Sequence, residues 1–157
     1  MHNNVMFAEE GPCVLRVAEA MLRGEIMYRK AVLDKADAAT FDAAFAQIKA
    51  AVVLSENLKY DEPWGWMVPV RHALGALMLE QGRFDDAEAV YRDDIALWKD
   101  NVWGLLGLTK VSEKSGKPLA DIAEIKAKFA AASKRADVSL DATCFCAQAA
   151  GAACCAP

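Results

Sequence analysis

The chain has little of what marks nucleic-acid binders, membrane proteins or enzymes with familiar motifs. No basic stripe with interleaved aromatics occurs, and a net charge of −4 argues against a nucleic-acid surface. The opening residues, Met1-His-Asn-Asn-Val-Met-Phe-Ala-Glu-Glu, hold no basic region and no long apolar run, so they do not read as a secretory signal. No stretch reaches the roughly 18 apolar residues expected of a membrane span. A nucleophile triad, a Gly-rich phosphate loop and a metalloprotease motif are all lacking. These absences point to a cytoplasmic, non-enzymatic protein with no nucleic-acid or membrane partner. In that compartment the five cysteines are expected to be reduced or metal-bound rather than paired.

What is present is helical. The 157 residues are 55% hydrophobic and 25% charged, the balance of a globular protein able to bury its own core, and the many alanines favour helix. Residues 69–99 are the most informative segment. Leu74, Leu77 and Met78 follow the spacing of a buried helical stripe, with Arg71, Glu80 and Gln81 as polar positions around it. Gly75 removes a side chain where a neighbouring helix comes close. Gly82 ends the first helix, because glycine reaches the left-handed conformation without strain. Asp85 is the expected N-cap of a second helix, with Glu88 completing a near capping box. Ala87, Val90, Tyr91, Ile95 and Trp98 form that helix's apolar stripe, and Tyr91 fills the space against the first helix.

The order Leu74-Gly75, Gly82, Ala87, Tyr91 resembles the tetratricopeptide repeat, and the run Tyr60-Asp-Glu-Pro-Trp-Gly-Trp-Met-Val-Pro-Val-Arg-His-Ala-Leu-Gly75 resembles a signature of bacterial-type members. A degenerate third unit follows at Trp103, Leu106, Gly107 and Gly116, with Pro118 suited to a first helical turn and Leu119, Ile122, Ile125 and Phe129 as a stripe. Upstream, residues 41–48 run parallel to 84–91, matching Ala44 with Ala87 and Ile48 with Tyr91. A preceding helix from Cys13 to about Lys30 carries Leu15, Ala18, Leu22 and Ile26 on one face, and Gly24 takes the repeat's Gly position. Residues 31–40 read as an insertion between these two helices. The resemblance implies an all-α fold of antiparallel hairpins, about 13–55, 67–99 and 101–134, stacked as a short right-handed superhelix of about three repeats over residues 1–135. An Ala/Cys-rich tail, 136–157, follows.

The resemblance also implies a scaffold that binds a protein or peptide in a concave groove. Counted from the Gly position, the groove takes Met21, Glu25, Tyr28 and Arg29 from the first unit, His72, Ala76, Leu79 and Glu80 from the second, and Gly104, Leu108 and Val111 from the third. The Lys/Asn/Arg set of a carboxylate clamp is lacking, so a helix or apolar segment suits the groove better than a chain terminus. Trp64, Trp66, Arg71 and His72 are a further candidate surface in and beside the connector. The alternative is that both tryptophans wedge between the first and second hairpins while Arg71 pairs with Asp61 or Glu62. A homodimer is left open.

The tail supports a different reading. Cys144, Cys146, Cys154 and Cys155 could offer thiolates to Zn or Cu, although their spacing departs from the Cys-x-x-Cys of familiar zinc sites. A thiol or disulfide redox role, or no specific role, are the other options. The final Cys154-Cys-Ala-Pro has the outline of a prenylation box, but Pro157 is a poor last residue for one. Cys13, at a helix start, is expected to be a buried small hydrophobe.

Overall fold

The computed structural model describes residues 11–60, 64–116, 119–137, 139–144 and 146. Every regular element among them is a helix: α1 Gly11–Leu33, α2 Ala38–Glu56, α3 Val70–Glu80, α4 Phe84–Leu97, α5 Val102–Ser115 and α6 Ile122–Ser133. The all-α expectation holds among the described residues. The chain divides into two compact units, Met1–Val70 and Arg71–Pro157.

In the first unit α1 and α2 form a long hairpin. Val17, Ala20, Gly24, Tyr28 and Ala31 are buried on α1, and Ala44, Phe45, Ile48, Ala51 and Val52 on α2. A methyl group at Gly24 would overlap the Ile48 side chain, so the helices approach closely only because residue 24 has none. The Tyr28 ring packs on Phe41 and Phe45, with centroids 5.6 and 5.8 Å away. Most of the supposed insertion is helix. α1 continues to Leu33, Lys35 turns the chain at φ 49°, and Asp37 caps α2 by accepting from Thr40 N at 3.0 Å. The hydrogen bonds from Thr40 hold the Asp37 carboxyl below its ordinary range.

Two expectations for this unit are overturned. The stripe Leu15, Leu22 and Ile26 is exposed, and α1 buries its opposite side instead. That helix has apolar residues on two sides, and α2 packs on the side whose alanines and glycine permit close approach. Cys13 is likewise exposed. The membrane-span estimate also changes: among the described residues one helix, the 19-residue α2, is long and apolar enough to cross a membrane by length and composition.

In the second unit Gly82, at φ 71°, ends α3, and Arg83 N donates back to Met78 O at 2.9 Å. α4 begins two residues earlier than expected, at Phe84. Arg83 occupies the N-cap position without a side-chain cap, so Asp85 is not the cap; it lies with Asp86 in the first turn, where the helix dipole favours acids. Glu88 closes no capping box and instead accepts from Arg92 Nε at 2.6 Å. Asn101 caps α5 by accepting from Trp103 N at 3.0 Å, and Gly116 ends it. Pro118 lies outside the described residues. α6 buries Ile125 and Ala132, and Asp121 at its start accepts two hydrogen bonds from Arg92 at 2.9 and 3.0 Å.

Candidate functional site

Three helices of the second unit, α3, α4 and α5, meet at a buried polar cluster. Tyr91 on α4 is fully buried, and its ring rests on two glycines: a methyl at Gly75 would come within 2.6 Å of Tyr91 Cζ, and one at Gly107 would overlap the same ring. Only residues without side chains at these points on α3 and α5 let an aromatic ring sit there. The phenol therefore ends deep in the unit, where it needs a partner. It finds Thr143, from the segment after α6, with an O···O distance of 2.6 Å. Thr143 Oγ1 in turn donates to the His72 carbonyl at 3.4 Å, which leaves Tyr91 as the donor to Thr143. Burial pushes the Tyr91 phenol well above its ordinary value; the Thr143 hydrogen bond opposes this and the Asp94 charge adds to it.

One turn along α4, Asp94 is 1% exposed and His72 on α3 is 4% exposed. The Asp94 carboxylate oxygen Oδ2 accepts from His72 Nε2 at 3.0 Å and from Asn101 Nδ2 at 2.8 Å. Asn101 Nδ2 also lies 2.9 Å from His72 Nε2, so three polar atoms share one small space. A methyl at Gly104 would stand 2.6 Å from Asp94 Oδ2, which makes the glycine at the start of α5 a condition of the arrangement. The Trp103 ring covers His72 at a centroid distance of 6.5 Å. Asp94 Oδ1 is buried with no hydrogen-bond partner among the described residues. Chemically this is an acid and an imidazole held together and shut away from solvent, and it clamps α3, α4 and α5 to one another. A buried carboxylate tolerates this only because charged hydrogen bonds, worth about 1.5–3 kcal/mol each, offset its lost hydration.

The residues assigned to partner binding are divided by the structure. His72, Leu79 and Leu108 are buried, as is Tyr28 on α1, so these four side chains do not line an open groove; Ala76 and Val111 are buried too. The physical reason is the same throughout: positions counted as a free groove face are core positions, and α3 is buried continuously from His72 to Leu79. Glu25, Arg29, Trp66 and Arg71 are half-buried, and Trp64 is 48% exposed. Burial raises the Glu25 carboxyl above its ordinary range, with Arg29 opposing the shift, and the Arg29 guanidinium stands 5.2 Å from the Tyr28 ring centre. Trp66 Nε1 is buried without a partner among the described residues. Asp61, Glu62 and Pro63 lie outside those residues.

In the tail, Cys144 and Cys146 are joined as a disulfide, with Cα atoms 5.2 Å apart, instead of being reduced or ligating as expected. Two sulfurs bonded to each other are not thiolates, and among the described residues no group of three or more His, Cys, Asp or Glu is placed to hold a metal ion. Cys154 and Cys155, the other half of the expected set, lie outside the described residues. The tail also supplies what sequence reasoning missed, a buried Thr143 that completes the Tyr91 contact. Asp94 was missed as well, although an acid three residues after Tyr91, inside the stripe of Ala87, Tyr91 and Ile95, is a readable signal of a buried partner. Asn101 and Thr143 carry no such signal. Against protein-family models, curated proteins and solved structures alike, the chain finds no match.

Proposed function

We propose that this chain is a non-enzymatic helical interaction module of tetratricopeptide kind, and that it holds a protein segment on the connector ahead of α3. The superhelical stacking of three repeats belongs to this reading. It is supported by a contact that recurs in both units, a glycine on the first helix of a hairpin against a large residue on the second: Gly24 with Ile48, and Gly75 with Tyr91. The binding surface rests on one observation. Tyr60, Trp64, Met67 and Val68 are 78, 48, 68 and 50% exposed within nine residues, whereas seven of the eleven groove residues are buried. Exposed aromatic and aliphatic side chains close in sequence suit an apolar peptide or helix face, with Trp64 as its anchor.

A photo-crosslinking residue at Met67 tests this. A discrete protein adduct should form and be lost in a Trp64→Ala background whose circular dichroism is unchanged. No adduct, or one indifferent to Trp64, removes the connector as the site.

The Cys144–Cys146 disulfide favours a second reading, a thiol–disulfide couple in which two thiols lose two protons and two electrons to a disulfide acceptor such as oxidised glutathione. Equilibration with glutathione buffers, read by mass spectrometry of the 139–157 segment, should show reversible loss of two hydrogens. Zn or Cu binding would require the reduced form, and elemental analysis after reduction decides it.

A further inference from the structure

α1 is apolar on two opposite sides, and among the described residues only one of them is covered. At 100° per residue, Leu15, Leu22, Ile26 and Leu33 fall within a stripe about 40° wide, opposite Val17, Ala20, Gly24, Tyr28 and Ala31. Their exposures are 69, 59, 50 and 80%, and the stripe runs along about 27 Å of helix. Glu19 and Arg29 occupy the two gaps in it, giving the sequence of positions 15, 19, 22, 26, 29, 33. The alternating steps of four and three are those of a coiled-coil seam.

The series is also its own inverse. Reversed about residue 24, position 15 meets 33, position 22 meets 26, and position 19 meets 29. Each large aliphatic residue thus meets another, and the acid meets the base. We propose that this face of α1 pairs antiparallel with the same face of a second copy about a two-fold axis at the level of Gly24. Leu15 then packs on Leu33 of the second copy, Leu22 on its Ile26, and Glu19 pairs with its Arg29. Charge selects this orientation. A parallel pairing sets Glu19 against Glu19 and Arg29 against Arg29, at like-charge cost in an apolar seam. The match of Glu19 with Arg29 on inversion is the feature that points to another copy of this chain as the occupant. The inference stands apart from the connector reading, because neither needs the other. One helix face is a small interface, so the dimer is weak.

Sedimentation equilibrium of the full chain under reducing conditions, from micromolar to millimolar, tests the proposal. Wild type should follow a monomer–dimer equilibrium. Glu19→Arg and Arg29→Glu should each weaken it about tenfold or more, the double swap should restore it to within about threefold, and Leu22→Asp/Ile26→Asp should abolish it. Leu22 and Ile26 are exposed, so helicity should be unchanged in their variant, and circular dichroism of the Glu19 and Arg29 variants separates lost pairing from lost folding. A wild type that stays monomeric at millimolar concentration overturns the proposal. So does a dimer that survives the Leu22→Asp/Ile26→Asp change, or one that the double swap fails to restore.

Discussion

Ile48 and Tyr91 occupy equivalent places in their hairpins, each pressed on a glycine of the preceding helix, yet they commit the two units to different kinds of core. Ile48 asks nothing further of its surroundings. Apolar neighbours from α1 and α2 satisfy it, and the first unit is held by packing alone at that point. Tyr91 brings a hydroxyl into the interior, and the second unit has to answer with Thr143 from a distant segment. Beside it, Asp94 requires His72 and Asn101. Hydrophobic contact is tolerant of small changes in shape, whereas a buried hydrogen-bond network is satisfied or it is not. The first unit should therefore yield gradually to mutation and the second abruptly.

Asp94→Ala is the sharpest way to test that contrast. It leaves His72 and Asn101 without their shared acceptor and should destabilise the second unit by about 3–5 kcal/mol in urea unfolding. Ile48→Val in the first unit should cost only about 0.5–1.5 kcal/mol. Equal losses would end the distinction. Tyr91→Phe keeps the ring on its glycines and removes only the donor to Thr143, so about 1–2 kcal/mol is expected. Thr143→Val should cost a similar amount, and the double variant less than the two together, because both changes break one hydrogen bond. Additive losses would show that Thr143 does not partner Tyr91.

The smallest effect lies on the surface. The Arg92 hydrogen bonds hold the Asp121 carboxyl below its ordinary range. A carboxyl depressed in the folded state stabilises above its unfolded pKa, near 3.9, and loses that contribution as pH falls through the lower folded value. Both side chains are more than a third exposed, so solvent screening limits the gain to about 1 kcal/mol or less. The stability difference between wild type and Asp121→Asn should be flat from pH 7 to about pH 5 and vanish in stronger acid. A difference that grows on acidification would reverse the assignment.

Much of the fold was legible before any contact was known. Gly82 and Gly116 end helices where their neighbours' periodicity stops, and the alignment of Ile48 with Tyr91 anticipated two residues in matching contacts. The site was legible only in fragments. His72 was noticed but placed on an open groove, because the count from Gly75 locates a residue on a helix without saying what lies above it. Trp64 is 48% exposed, whereas Leu79 and Leu108 are buried. On α1 the periodicity was sound and the choice of face was wrong, since a helix with two apolar sides offers two equally regular stripes.

Helix positions, turn glycines and the self-inverse seam of α1 are thus properties of the amino-acid sequence alone, because each depends on residues within a few turns of one another. Which face of α1 is buried, and which polar groups meet, was decided only by tertiary structure. His72 reaches Asp94 across 22 residues, Asn101 reaches His72 across 29, and Thr143 reaches the His72 carbonyl across 71. No local periodicity carries information over such separations; the packing of glycine against tyrosine, which sets the helices at the right distance, does.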